Sequence, residues 1–250
     1  MKKVFGLIGY PVSHSWSANY FSEKFSKENL KNHHYELFPI KDLSLFPNLI
    51  SSRPNLHGLN VTIPHKENII PFLHDLDLSA EDIGAVNTIK FIRSNNNLFL
   101  KGFNTDVIGF EKSLEYFKID VPQKVLILGT GGAAKAVEWV LKKKNCHITF
   151  LTRSSGKPGQ ISYDDIKQKS LEDYTLIINT TPLGMYPDTD NLPDLPYHTL
   201  SQDHILYDLI YNPEETLFMQ QGKKRGCKTL NGLYMLQQQA EAAWSIWISK

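Results

Sequence analysis

The hydrophobic pattern of this chain switches period repeatedly, and the switches alternate. Apolar runs of strand length, KVFGLIG (residues 3–9), HYELFPI (34–40) and HGLNVTI (57–63), are separated by stretches with apolar residues at helical spacing, one after SHSWS and one around Asp42 to Ile50. NTIKFI and LFLK flank the Asn-rich SNNN and predict a hairpin. A helix follows from about Asp106 to Lys118, with Ile108, Phe110, Leu114 and Phe117 as its apolar residues and Pro122 as its stop.

The second half repeats the alternation. KVLILG, a Gly-rich turn, a helix to about Asn145, HITFLT, a polar stretch with a short helix, TLIINTTP, ILYDLIY and another helix make a βαβ series of their own. Such alternation predicts an α/β fold with largely parallel sheets. The last helix, Leu233 to Ile248, puts Leu233, Leu236, Ala240, Ala243, Trp244 and Trp247 on one face. Packed back on the first domain, it makes that domain discontinuous: residues 1–102 plus 232–250, with a second domain over 103–231.

Composition narrows the class. At 250 residues the chain can bury a sizeable core in one large or two modest domains. A net charge of +1 with interleaved signs offers no footprint for nucleic acid; the basic runs Lys142 to Lys144 and Lys223 to Arg225 read as helix C-termini. Cys146 and Cys227 form no C-x-x-C pair and join no metal-spaced cluster, which predicts reduced thiols and no metal. No apolar run approaches the roughly 20 residues that span a bilayer, and Val4 to Gly9 is too short for a signal peptide core, so the expected location is cytoplasmic, away from membranes.

Three motifs carry candidate chemistry. GLNVTIPHK ends on Lys66 and GFNTD on Asp106, each behind a polar, turn-forming lead-in. Together in a cleft they could handle a proton. GTGGAAKA follows a strand and opens a helix, and Gly129, Gly131 and Ala134 satisfy the G-x-G-x-x-G/A dinucleotide pattern. After the next strand stand Thr152, Arg153 and Ser154, donors suited to a 2′-phosphate, where an acidic residue would favour NAD; NADP is the expected cofactor. SHSWS before an apolar helix can either cap it or hold a carboxylate, and the residues alone leave both open.

The order IGYPVSHSWS, GLNVTIPHK, GAVNT, GFNTD, GTGGAAKA, TRS, NTTPLGM, DLIYNPEET and GLYMLQQQAEAAW resembles the shikimate dehydrogenase family over nearly the whole chain. That resemblance implies an N-terminal α/β substrate domain and a Rossmann-type NADP-binding domain. It implies NADPH-dependent interconversion of 3-dehydroshikimate and shikimate, a step of aromatic amino-acid (chorismate) biosynthesis, by a monomer or homodimer with only small-molecule partners.

Residue by residue, it implies that Ser15 and Ser17 bind the substrate carboxylate. Thr62, Lys66, Asn87, Asp106, Tyr211 and Gln239 contact the rest of the substrate, with Lys66 and Asp106 as the catalytic pair. Gly129, Thr130, Gly131, Gly132, Ala133, Thr152, Arg153, Ser154, Thr180, Gly232 and Met235 lie along the cofactor. By turn and helix chemistry alone, Asn87 reads as a turn residue and Gln239 as a solvated one, and which of Lys66 and Asp106 moves the proton stays open. Two departures from the family pattern are Ala18, where proline often follows the serine pair, and Thr152, where asparagine commonly precedes the arginine. A quinate/shikimate dehydrogenase of broader specificity, or an NADP-binding regulatory protein without chemistry, are the competing expectations.

Overall fold

The computed structural model describes residues 2–13, 15–94, 97–153 and 156–249. The chain divides into two compact units, residues 1–105 with 240–250 and residues 106–239.

The first unit is built from β1 (Lys3–Gly9), α1 (Trp16–Lys27), β2 (His33–Pro39), α2 (Phe46–Ser52), β3 (Leu56–Val61), β4 (Asp75–Leu76), α3 (Leu78–Ile83), β5 (Thr88–Ser94) and β6 (Asn97–Phe103). Its sheet runs β2-β1-β3-β5-β6-β4 and is mixed: β1 pairs in parallel with β2 and β3, whereas β5 is antiparallel to β3 and β6. The β4–β6 pairing is parallel as well, so the two antiparallel pairings are those of the expected hairpin, which is inserted directly beside β3.

Both faces of this sheet are covered, which is why β1 reads as an unbroken apolar run. Successive side chains point to opposite faces. Val4 and Ile8 join a core with Phe38, Phe46, Leu56 and Leu59, while Phe5 joins Phe21, Phe25, Ala240, Ala243, Trp244 and Trp247. In that second cluster the Trp247 ring centroid is 5.0 Å from that of Phe5 and 5.3 Å from that of Phe21, and its indole N–H donates to the Ile89 carbonyl at 3.1 Å.

The second unit contains α4 (Asp106–Tyr116), β7 (Lys124–Leu128), α5 (Gly132–Lys143), β8 (His147–Thr152), β9 (Gln160–Ser162), α6 (Tyr163–Lys167), β10 (Leu176–Asn179), β11 (Ile205–Asp208), α7 (Leu217–Lys224) and β12 (Lys228–Leu230). It also takes the first turns of α8 (Leu233–Ile248). Every pairing in its sheet is parallel, in the order β12-β11-β10-β7-β8-β9. Counted from the first strand of the unit, that is the doubly wound order of dinucleotide-binding folds, with its reversal between β7 and β10. Lys142, Lys143, Lys223 and Lys224 occupy last helical turns, where cations complement the helix dipole.

Three details differ from the expectation. Helix α4 ends at Tyr116, well before Pro122, because Lys118 turns left-handed (φ 51°) and the Ile119 amide closes back on the Leu114 carbonyl at 2.9 Å. The units divide at 105/106 and 239/240 instead of 102/103 and 231/232: residues 103–105 stay with the strand they continue, and the first half of α8 packs on α4, with Tyr116 and Tyr234 stacked at 4.0 Å. On α8, Ala240, Ala243, Trp244 and Trp247 are buried as expected, but Leu233 and Leu236 are only half-buried while Met235 is buried.

Gly58 on β3 lies directly under the Trp247 indole, and a Cβ there would overlap ring atoms. Gly58→Ala is therefore expected to lower stability by about 1–3 kcal/mol, read as a lower midpoint in urea unfolding; an unchanged midpoint would show that the indole can move aside at no cost.

Candidate functional site

In the first unit the candidate residues collect where parallel strands β1 and β3 end, the edge at which open α/β sheets bind ligands. The Thr62 amide donates to the Ile8 carbonyl at 2.9 Å and the Tyr10 amide to Ile63 at 3.0 Å, tying the two exits together. The segment carrying Lys66 is fixed from the other side: the Val61 amide donates to the Asn87 carbonyl at 2.8 Å, and Val86 to the Lys66 carbonyl at 2.7 Å. Thr62, Lys66 and Asn87 are thus brought together from two separate motifs.

Asn87 is 3% exposed and does more than turn the chain. Its Oδ1 accepts from the Thr105 amide at 2.7 Å, the Thr105 hydroxyl at 3.1 Å and the Thr88 hydroxyl at 3.1 Å. It thereby fixes the residue immediately before Asp106. Asn60 extends the network, its Nδ2 donating to Thr88 Oγ1 at 3.2 Å and to the Asn87 carbonyl at 3.3 Å, its Oδ1 accepting from the Tyr35 phenol at 2.8 Å. Burial pushes that phenol well above its ordinary value and a hydrogen bond with Ser17 opposes the shift, so Tyr35 remains a protonated donor.

Ser15 is the N-cap of α1 and accepts from the Ser17 amide at 3.2 Å. Capping uses one acceptor lone pair and leaves the hydroxyl proton available for a ligand, so the two readings of SHSWS are compatible. Tyr35, Asn60, Thr88 and Thr105 escaped the sequence reading. Asn60 had a visible signal, a lone amide in the otherwise apolar strand HGLNV; Tyr35 looked like an ordinary strand aromatic.

In the second unit, β7 leads into the Gly-rich turn. Gly129 has φ 96°, a conformation that favours glycine, and a Cβ there would meet Thr181 Cγ2 at 2.9 Å and Thr180 Oγ1 at 3.2 Å. Gly131 caps α5 without any side-chain hydrogen bond, which leaves the first helical amides of Gly132 and Ala133 to an incoming anion. Thr130 and Gly131 are exposed, while Ala134 is fully buried. The Gly129 amide donates to the Leu151 carbonyl at 2.9 Å, which sets the end of β8, and so Thr152 and exposed Arg153, beside the turn. Thr180 donates its hydroxyl to the Leu128 carbonyl at 2.6 Å from the other side. Ser154 lies outside the described residues. The turn and Thr180 thus meet at the strand-order reversal, with Thr152 and Arg153 at the end of β8 on the other side of β7.

The remaining expected residues of this unit are dispersed along its sequence. Asp106 is buried at the first position of α4. Tyr211, half-buried with its phenol pushed up by burial, follows β11, and Gly232 donates its amide to the Ile210 carbonyl at 2.9 Å just before α8. Met235 is buried, and Gln239 donates from Nε2 to the Leu236 carbonyl at 2.9 Å. Among the described residues no group of three or more His, Cys, Asp or Glu is placed to hold a metal ion, and no helix is long and apolar enough to cross a membrane.

Comparison with known proteins supplies the family. A family model of the shikimate dehydrogenase substrate binding domain matches residues 7–89. A curated shikimate dehydrogenase (NADP(+)) of Methanococcus maripaludis strain S2 is 38% identical, covering 98% of this chain and 91% of its own. The chain belongs to the shikimate dehydrogenase family. A solved shikimate dehydrogenase in complex with NADP+ is 35% identical with a TM-score of 0.87, covering 99% of this chain and 90% of the other. A second shikimate dehydrogenase, from Thermus thermophilus in complex with NADP(H) and shikimate, is 29% identical with a TM-score of 0.81, covering 98% and 93%. The two-unit architecture, an N-terminal α/β unit and a Rossmann-type unit, is that of the shikimate dehydrogenases.

Asn87→Ala removes the oxygen that accepts from the Thr105 amide and from the Thr105 and Thr88 hydroxyls. The variant is expected to lose roughly 1–3 kcal/mol of stability in urea unfolding; a loss near zero would mean that water replaces the amide oxygen.

Proposed function

We infer that this protein catalyses the reversible NADPH-dependent reduction of 3-dehydroshikimate to shikimate, an oxidoreductase step of chorismate and aromatic amino-acid biosynthesis. The observation that carries this reading is the 38% identity, over 98% of the chain, to an NADP-dependent shikimate dehydrogenase. The reading makes the partners small molecules alone, with the protein acting in the cytoplasm as a monomer or homodimer. On this reading residues 1–102 with 232–250 are named the substrate-binding domain and 103–231 the dinucleotide-binding domain.

The residues present fit NADP. A glycine turn at the strand-order reversal, an uncapped helix start and small Ala134 suit a diphosphate, and Arg153 at the end of β8 suits a 2′-phosphate. When bound, the cofactor supplies the hydride. The rest falls to the protein. As the ketone is reduced its oxygen gains negative charge, and the Lys66 ammonium stabilises that charge and donates the proton. Asp106 accepts from a substrate hydroxyl and orients the substrate.

A small polyhydroxylated acid has little apolar area to bury, so directional hydrogen bonds must hold it. Ser15 and Ser17 donate to its carboxylate; Thr62, Asn87, Tyr211 and Gln239 serve its hydroxyls. Thr180, Gly232 and Met235, with the turn from Gly129 to Ala133 and Thr152, line the cofactor.

Purified protein given shikimate and NADP+ is expected to generate NADPH, read by its near-ultraviolet absorbance, with markedly lower rates when NAD+ or quinate is substituted. A protein inert with shikimate and NADP+ would overturn the reading, and parity between shikimate and quinate would make it a broader dehydrogenase. Lys66→Ala is expected to lower kcat by about 10²–10⁴ while NADP+ affinity, measured by fluorescence titration, stays within a few-fold. Equal loss of both would remove Lys66 from the proton-transfer role.

A further inference from the structure

One buried acid has no part in the chemistry above. Asp208 ends β11, is fully buried and lies opposite Asn179 in the parallel register of β10 and β11. Its Oδ1 accepts from Asn179 Nδ2 at 3.0 Å and from the Ile210 amide at 3.0 Å, and its Oδ2 from the Thr216 hydroxyl at 2.6 Å. Among the described residues no cation pairs with it. A buried carboxylate held only by neutral donors is expensive to keep unless those bonds are put to use.

The bonds run toward the cofactor edge. Donation to Asp208 fixes which way the Asn179 amide faces, so Asn179 Oδ1 points at the next loop and accepts from the Thr181 amide at 3.0 Å and the Thr181 hydroxyl at 2.6 Å. The Thr181 oxygen accepts in turn from the Leu183 amide at 3.3 Å, and the Thr181 methyl abuts Gly129. Asp208 also sets Ile210, whose carbonyl receives the Gly232 amide. One carboxylate therefore anchors both the loop beside the dinucleotide turn and the segment leading to α8.

We propose that Asp208 is a positioning residue for the cofactor: through Asn179 and Thr181 its carboxylate holds residues 180–183 against the Gly129 turn in the arrangement that receives the diphosphate. This rests on the NADP-binding reading but not on the identity of the substrate. Protonation would weaken the charge-assisted bonds that orient Asn179. Burial pushes the Asp208 carboxyl up to about 6, against the lowering effect of its three donors. The facing titratable group is Tyr197, whose phenol is pushed up by burial and by the charges of Tyr163, Asp208 and Asp194, and which is therefore neutral across the range that matters.

The sign follows from a folded value raised above the ordinary 3.8. Stability from the buried acid is fully present below that ordinary value and is lost as pH rises through about 6. Positioning runs the other way, present above about 6 and lost below it, so ordered cofactor binding is gained where some stability is given up.

The test is direct NADPH binding to the full chain, without substrate, for wild type and Asp208→Asn between pH 5 and 8. The cofactor's own phosphate titrates in this range, so the readout is the ratio of the two affinities. We expect Asp208→Asn to bind about tenfold more weakly at pH 8, with the ratio closing toward one at pH 5 and KM for NADP+ affected more than kcat. A ratio that is flat with pH, or near one throughout, overturns the proposal. Should Asp208→Asn fail to fold, Thr181→Val severs the far end of the relay at a half-buried position and is expected to weaken NADPH binding two- to fivefold; unchanged affinity there also overturns it. Binding that behaves as expected in a protein inert toward shikimate would leave the proposal standing and remove only the substrate assignment.

Discussion

Backbone that leaves a buried strand still carries amides that need partners, and both units meet this constraint with the same device. Asn87 takes the amide and hydroxyl of Thr105 on its side-chain oxygen, and Asn179 takes the amide and hydroxyl of Thr181. Each asparagine is buried and sits where the chain turns from regular pairing into loop. Both asparagines are almost wholly shielded from water, so the bonds they make are supplied within the fold. Irregular segments that would otherwise be free to shift are held at positions set by the sheet, and those segments carry the candidate site residues.

The sheets then decide which segments meet. In the first unit the parallel exits of β1 and β3 supply Ser15, Thr62 and Lys66, and the antiparallel return through β5 supplies Asn87. In the second, the reversal of strand order opens the edge between β7 and β10, and the Gly-rich turn and Thr180 stand on its two sides. The proposed chemistry rests on single residues at these exits: a lysine behind one strand, an arginine behind another.

Most of the architecture was legible in the amino-acid pattern, for identifiable reasons. Strands buried on both faces, such as KVFGLIG and KVLIL, are unbroken apolar runs, and the Gly-rich turn follows such a run directly. Strands β4, β9 and β12 were not legible because two or three residues cannot establish a period. The mixed order of the first sheet depends on which neighbours pair, a long-range choice that local pattern does not encode. The end of α4 was misplaced because a left-handed lysine, which has no compositional mark, stops the helix before the proline that advertises a stop. At the site, motif residues with distinctive chemistry stood out, whereas Tyr35 and Asp208 take their roles from partners remote in sequence.

Helix α8 is divided, its first turns belonging to residues 106–239 and its last to the unit that begins at the N-terminus. The aromatic cluster of Phe5, Phe21, Phe25, Trp244 and Trp247 therefore draws on both ends of the chain. In chain order β1 and α1 precede every strand of the nucleotide unit, and the tryptophans that cover them follow it. The nucleotide unit is continuous in sequence, whereas the face of the earlier unit that carries Phe5 and Phe21 is covered by residues contributed from α8. Covering that face is thus a contact of very long sequence separation, the kind that costs the most loop-closure entropy to form.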